Sequence, residues 1–463
     1  MPDGGWIFRK ECFTLRRNRR EARQFQNAYP WMYGDKRVKT VTFIVTHQCN
    51  LRCTYCYEHN KSDKKMTLET AKKCVDLLFA EDARNSELVN DTEAHGLIIE
   101  FIGGEPFLEI DLIDQTMEYF LNQAIERNHR WRTQYMINIS TNGTLGEDER
   151  IRRFIKKYDG RLSVSVTIDG AKEAHDACRV DLAGNGSYDR AIKMFREVGG
   201  PQRRGSTKYT IAPGNIDKFA QAVRHLVMEE GVAALNCNCV YEEGWTLEHA
   251  QILYWQLKEV SDMLLESGKD SYVSILDWEA GNPMPETETQ NWCGGDGRML
   301  AFEVDGTVLP CMRYSSISIS GQPSLRIGDV DSGIAVREDD RERLAQLRAI
   351  TRQSQSEQTC LDCPIASGCG WCTAYNYEMS GTPNKRMTYI CDMHKARVLA
   401  QCYHWNRKHL RDPEEYHHKK MYIPEDWAVP IIGAEEYRAL KELEQQAIAV
   451  QPPAATAQQG QSF

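Results

Sequence analysis

The stretch His47-Gln48-Cys49-Asn50-Leu51-Arg52-Cys53-Thr54-Tyr55-Cys56-Tyr57 decides how the chain is read. It follows the apolar run 41–45, which has the make-up of a buried strand. Three cysteines at CxxxCxxC spacing fit on one short loop. Three thiolates hold three irons of a 4Fe-4S cluster and leave the fourth iron open to a small ligand. An open coordination position marks a catalytic rather than a structural site. A zinc knuckle is the alternative reading. Structural zinc takes four closed ligands, so a set of three favours the cluster.

Outward from this loop, strand-like and helix-like segments alternate. Apolar β-type runs lie at 41–45, 97–102, 135–139, 162–168, 209–212 and 232–240, with amphipathic helical stretches at 67–81, 110–128, 146–158, 187–198 and 215–230. Six βα units predict an α/β fold with a parallel sheet and helices outside it. Six units rather than eight predict an open partial (βα)6 barrel, with the site at the carboxyl edge of the strands. Residues 1–38 form a basic lead-in, 39–245 the barrel and 246–289 a linking helix and connection. Residues 290–402 are loop-rich and dense in Cys and Gly, which predicts a small metal-nucleated domain. A C-terminal wrap covers 403–440, followed by a helix end and a disordered tail over 441–463.

The chain has 463 residues, 41% hydrophobic and 27% charged, with a formal net charge of -9. No positive balance points to nucleic acid or an anionic membrane. The N-terminus lacks a signal-peptide pattern and no run is long and apolar enough to span a bilayer, so the expectation is a cytoplasmic enzyme. Sixteen cysteines in a reducing compartment read as metal ligands rather than disulfides.

Three later segments extend the pattern. Gly103-Gly104-Glu105-Pro106 follows the second strand, Ser140-Thr141-Asn142-Gly143-Thr144 the third, and Thr167-Ile168-Asp169-Gly170 the fourth, with His175, Asp176 and Arg179 downstream. Together with the cysteine loop this order resembles the radical S-adenosylmethionine (SAM) superfamily. The resemblance implies that Cys49, Cys53 and Cys56 hold a 4Fe-4S cluster whose open iron is chelated by SAM. One electron then cleaves SAM to methionine and a 5′-deoxyadenosyl radical. It also implies that the segment Gly103, Gly104, Glu105 and Pro106 contacts the SAM amino group, that Thr141 and Asn142 belong to the cofactor site, and that Thr167 binds the ribose. Arg179 would pair with the SAM carboxylate, a task its fork suits. Tyr55 is an adenine-stacking residue or a packing residue.

Further on, Cys293, Gly306, Cys311, Cys360, Cys363, Cys369, Cys372 and Cys391 are spaced C-x12-G-x4-C, gap, C-x2-C-x5-C-x2-C, gap, C. This resembles the SPASM domain of radical SAM peptide maturases, whose pattern has three residues where this chain has two between Cys369 and Cys372. The resemblance implies two auxiliary 4Fe-4S clusters, three in all. Cys360, Cys363, Cys369 and Cys391 would close one, and Cys293, Cys311 and Cys372 would give three ligands to the other. The fourth position of the latter is either open, ready for a substrate thiolate, or filled by a group such as Asp296. Of the remaining cysteines, Cys12, Cys74, Cys178 and Cys402 read as packing residues. Cys237 and Cys239 share one strand face and become ligands only if that face points inward.

SPASM enzymes mostly modify ribosomally made peptides. An open auxiliary iron favours Cys-sulfur-to-carbon thioether formation. The details Cys369-Gly370-Trp371-Cys372, Ala374-Tyr375-Asn376-Tyr377, Ile423-Pro424 and Trp427-Ala428 resemble maturases of peptides with repeated CXXX units, the ranthipeptide type. Sulfatase maturases carry an Asp base directly after the residue matching Cys311. Met312 stands there, which argues against formylglycine formation. Carbon-carbon or carbon-oxygen crosslinking stays open, as does a structural zinc module. The expected partners are a Cys-containing precursor peptide with a leader and a small reductant protein, flavodoxin or ferredoxin.

Overall fold

The computed structural model describes residues 38–84, 89, 96–198, 205–242, 244–269, 271–278, 294–297 and 299–450. Nearly all of the basic lead-in, together with Cys12, Cys293 and the tail from 451, lies outside the described residues. Six parallel strands stand side by side in chain order: β1 (Lys39–Thr46), β2 (Leu97–Gly103), β3 (Tyr135–Thr141), β4 (Leu162–Thr167), β5 (Ser206–Ile211) and β6 (Ala234–Cys239). The crossovers carry α1 (Leu68–Phe79), α2 (Ile110–Glu126), α3 (Glu149–Lys157), α4 (Lys172–Cys178), α5 (Tyr188–Val198) and α6 (Phe219–Val223). Local capping fixes several starts. Thr67 accepts the Thr70 N–H at the head of α1, and Asp148 accepts the Arg150 N–H at the head of α3.

No ladder joins β1 to β6, so the sheet is open. It also grows at both edges. The two-residue β7 (Tyr272–Val273) adds to β6, and β8 (Met299–Phe302) pairs in parallel with β1. Antiparallel β9 (Thr307–Leu309), β10 (Gly328–Asp329) and β11 (Gly333–Ile334) follow outward from β8. The cysteine-rich part of the chain is thus hydrogen-bonded into the sheet directly beside β1. The long helix α7 (Leu247–Ser267) follows the barrel strands, with α8 (Glu338–Arg348), α9 (Thr373–Ser380) and α10 (Cys391–Arg411) later in the chain. Helix α10 packs on α7, where Tyr403 bonds Asp262 at 2.7 Å and His404 bonds Ser261 at 2.9 Å.

Two local differences from the sequence reading have physical reasons. The sixth strand begins at Ala234 rather than 232, because Gly231 turns the chain at φ 69° and the Val232 N–H closes the preceding helix on Leu226 O. The single helix expected over 215–230 is a 3-10 turn, then α6, then a π turn at Arg224–Glu229.

Phe43 of β1 is fully buried and its ring lies 5.4 Å from that of Phe101 on β2 and 5.1 Å from that of Phe302 on β8. It therefore pins three strands at once. Phe43→Ala is expected to cost about 3–5 kcal/mol, read as a lower urea midpoint with an unchanged slope.

Candidate active site

The cysteine loop leaves the carboxyl end of β1 and is tied down on three sides. Arg52 N–H donates to Val180 O at 2.7 Å and Thr54 N–H to Cys178 O at 3.0 Å, fastening it to the chain just past α4. On a second side, Glu105 N–H donates to Gln48 O at 2.9 Å. A Cβ on Gly104 would stand 2.3 Å from Gln48 O and 2.8 Å from the Cys49 Cβ, so only glycine permits this approach. On the third side, the buried His47 bonds Glu303, at the end of β8, at 2.7 Å. Glu303 also accepts from Ser315 and Ser316. Burial opposes its charge, but the His47 and Ser315 hydrogen bonds outweigh that and hold its pKa below the usual value.

The motif residues join one another. The buried Glu105 carboxylate accepts from Thr141 Oγ1 at 2.7 Å, Asn142 N at 2.8 Å and Phe107 N at 3.1 Å. It caps the short helix begun by Pro106 and locks the second motif to the third. Asn142 reaches Asn50 at 2.8 Å and the Cys49 sulfur at 3.9 Å. Arg179 and Asp169, both buried, pair at 3.6 Å, and Tyr55 joins them: its hydroxyl donates to Asp169 and accepts from Arg179 at 2.7 Å. The Tyr55 hydroxyl is thus engaged within the protein, while Arg179 Nε is buried with no hydrogen-bond partner among the described residues. Thr167 ends β4 in register with Lys208 of β5.

The three thiols belong to a cluster-like setting. Burial pushes the Cys49 thiol up to about 12 and also raises Cys53. Such thiols become anions near neutral pH when a metal centre takes up the charge. Donors already face them: Leu51 N–H lies 3.4 Å from the Cys49 sulfur and Lys61 Nζ 3.0 Å from that of Cys56. Among the described residues, no three His, Cys, Asp or Glu side chains converge to hold a single metal ion. Thiolates around a 4Fe-4S cluster each face a different iron instead.

A second thiol group gathers in the cysteine-rich part. Cys369 feels the charge of Cys360 and Cys363, and Cys391 that of Cys369 and Cys360. These are the four residues expected to close one auxiliary cluster. Cys391 opens α10, and burial pushes its thiol up to about 12. Polar atoms buried with no hydrogen-bond partner among the described residues lie on neighbouring stretches of chain: Gln355 Nε2, Ser356 Oγ, Arg386 Nη1, Tyr389 Oη and His394 Nε2. Each such orphan costs about 1–3 kcal/mol. The donor set fits an iron-sulfur centre.

Cys311 and Cys372 are the other expected auxiliary ligands among the described residues. Arg313, two residues past Cys311, carries the connection. Its guanidinium lies 4.9 Å from the centre of the Tyr57 ring, next to Cys56, and 6.0 Å from that of Tyr375. It pairs with Glu242 at 3.3 Å and Glu378 at 3.2 Å. Burial opposes its charge, but the Cys372 sulfur, Glu378 and Glu242 outweigh that and raise its pKa. The chain of neighbours thus runs from Cys56 through Tyr57 and Arg313 to Cys372.

Sequence reasoning missed this arginine, along with Glu58, Glu100 and Lys208. Glu100 on β2 and Lys208 on β5 influence each other's charge although three strand spacings, ~14 Å along the sheet, separate their backbones. A lysine inside a parallel strand is the signal that was available. Cys237 and Cys239 are in register with Tyr209 and Ile211, both fully buried, on the opposite face from Lys208 and Asn236. They do not share the polar face of Lys208.

The buried His175 accepts from Asp169 N–H at 3.1 Å, and its other ring nitrogen faces Ser187 at 3.0 Å. Burial, then the charges of Arg179 and Lys172, lower its pKa from 6.5 to about 3. Between those values the unfolded chain binds the extra proton, so stability rises with pH across that window. His175→Gln should flatten the dependence between pH 3 and 6.5, read as denaturation midpoints across the range.

Residues 43–226 match the family model described as the radical SAM superfamily. A cysteine-type anaerobic sulfatase-maturating enzyme of Clostridium perfringens is 29% identical over 154 residues, covering 32% of this chain and 38% of the relative. The antilisterial bacteriocin subtilosin biosynthesis protein AlbA of Bacillus subtilis is 26% identical over 284 residues, covering 59% of this chain and 54% of its own. The chain thus spans from under two fifths to about half of these relatives' lengths. In fold it is similar to native anSMEcpe with bound AdoMet, with a TM-score of 0.59 and 17% identity, covering 80% of this chain and 98% of that one. The cysteine loop, the three motifs locked to it and these matches together show that the chain carries a radical SAM domain.

Proposed function

We propose that the chain is a radical SAM peptide maturase that forms thioether crosslinks from a cysteine sulfur to a carbon of a ribosomally made precursor peptide. The observation that supports this reading is the run of neighbours from Cys56 through Tyr57 and Arg313 to Cys372, together with the gathering of Cys360, Cys363, Cys369 and Cys391. On this reading Cys311 and Cys372 are an inner thiol pair. With Cys293 this pair gives an auxiliary cluster three ligands. Relatives that include a bacteriocin biosynthesis protein support a peptide substrate.

When bound at Cys49, Cys53 and Cys56, the cluster and SAM supply a radical that removes a hydrogen atom from carbon. The chain's own residues do the rest. Gly104 lets the second motif approach the loop, and Glu105 fixes Thr141 and Asn142 in place. Arg179, held by Asp169 and Tyr55, has its Nε free for an anion such as the SAM carboxylate. The polar face that bears Glu100 and Lys208 takes the peptide. In the crosslinking step a C–H and an S–H bond break and a C–S bond forms. The hydrogen atom would leave with the SAM-derived fragment and the thiol proton with solvent, while the auxiliary thiols would hold a centre able to take the surplus electron. That electron would return to the first centre and replace the one spent on SAM, with a small reductant protein, flavodoxin or ferredoxin, supplying the initial reduction.

Cys53→Ala should abolish 5′-deoxyadenosine formation from SAM, measured by chromatography against a no-enzyme control. Deoxyadenosine above that control would contradict the first-centre assignment. Cys363→Ala should keep SAM cleavage and lose the peptide product, whose mass is lower by two hydrogens. Normal product from a folded Cys363→Ala variant would remove the auxiliary centre from the reaction.

A further inference from the structure

Arg386 is buried near Cys369 and Cys391 and is only partly satisfied by the described residues. Its backbone N–H donates to Gln355 O at 3.0 Å and its Nη2 to Cys369 O at 3.3 Å. Its guanidinium lies 5.2 Å from the centre of the Trp371 ring, which fixes the plane of the fork. Nη1 is buried with no hydrogen-bond partner among the described residues. The side chain is nevertheless placed so that its charge acts on both Cys369 and Cys391. The other cation acting on Cys391, Lys395, is bound to Asp392 at 3.0 Å. No carboxylate pairs with Arg386 among the described ion pairs. A buried guanidinium lacking such a partner is costly unless an anion lies against it, and arginine cannot shed its proton to escape that cost.

We infer that Arg386 is a positioning residue of the centre held by Cys360, Cys363, Cys369 and Cys391, donating N–H groups to cluster sulfur and setting its reduction potential. The inference rests on the proposed reading of these four thiols as cluster ligands. Reduction adds one negative charge to the centre. A fixed cation and its N–H donors stabilise the reduced form more than the oxidised one. The electron that leaves the substrate then has a centre of raised potential to enter. Trp371 and the Cys369 carbonyl hold the fork in one orientation, so its effect differs from that of a mobile surface cation.

The test is a potentiometric titration of the anaerobically reconstituted full chain, followed by electron paramagnetic resonance, with iron counted first. Arg386→Met should keep the wild-type iron content and move one midpoint potential to a more negative value. Arg386→Lys, which keeps the charge but not the fork, should fall between the two. Unchanged potentials in an iron-loaded Arg386→Met variant would overturn the inference. If that variant loses iron, Arg386→Lys decides: a shifted potential supports the role and an unshifted one refutes it. A wild-type protein holding only about four irons would instead overturn the reading of the four thiols, which separates the two failures.

Discussion

The parallel ladder that β1 shares with β2 on one side and β8 on the other is the constraint on which the site depends. A strand with neighbours on both sides delivers its carboxyl end to one defined place. From that end the loop with Cys49, Cys53 and Cys56 emerges between the second motif, after β2, and the Glu303 turn, after β8. Glu105 and His47 convert this arrangement into hydrogen bonds. One locks the second and third motifs to each other, and the other fastens the loop to the strand that leads toward Cys311. Because β8 is part of the same sheet, the second thiol-rich region is held to the first by main-chain bonds as well as by side-chain packing.

The polar side chains divide the labour according to what burial makes costly. Arg179 has Asp169 and Tyr55, Arg313 has Glu242 and Glu378, and Glu105 has three donors. Each charge is compensated within the protein, so the geometry of the site is set before any ligand binds. Arg386 departs from that pattern, because no carboxylate pairs with it among the described ion pairs and its Nη1 is buried without a described partner. Burial raises Cys49, Cys53, Cys369 and Cys391 as free thiols, and metal coordination is the ordinary means by which such groups carry negative charge.

Much of this was legible in the sequence because the signals were local. The six strands were readable from short β-branched runs, and the motif order needed only positions along the chain. The grouping of Cys360, Cys363, Cys369 and Cys391 followed a resemblance in spacing. What escaped notice was long-range. Nothing near Arg313 announces that it will meet Tyr57, more than two hundred residues earlier. The pairing of β8 with β1 is equally invisible from a four-residue strand. Tyr55 was left between stacking and packing, and its bonds to Asp169 and Arg179 depend on how α4 returns to the loop. Glu100 and Lys208 lie in strands whose apolar neighbours drew the attention, although charge inside a parallel sheet was itself a signal.

The account turns on the thiols being ligands of three iron-sulfur centres. The most direct measurement is the content of iron and acid-labile sulfide per chain after anaerobic purification and reconstitution. The account predicts about twelve of each. Zinc in place of iron at the auxiliary cysteines, or about four irons in all, would contradict it and return the second thiol group to a structural role.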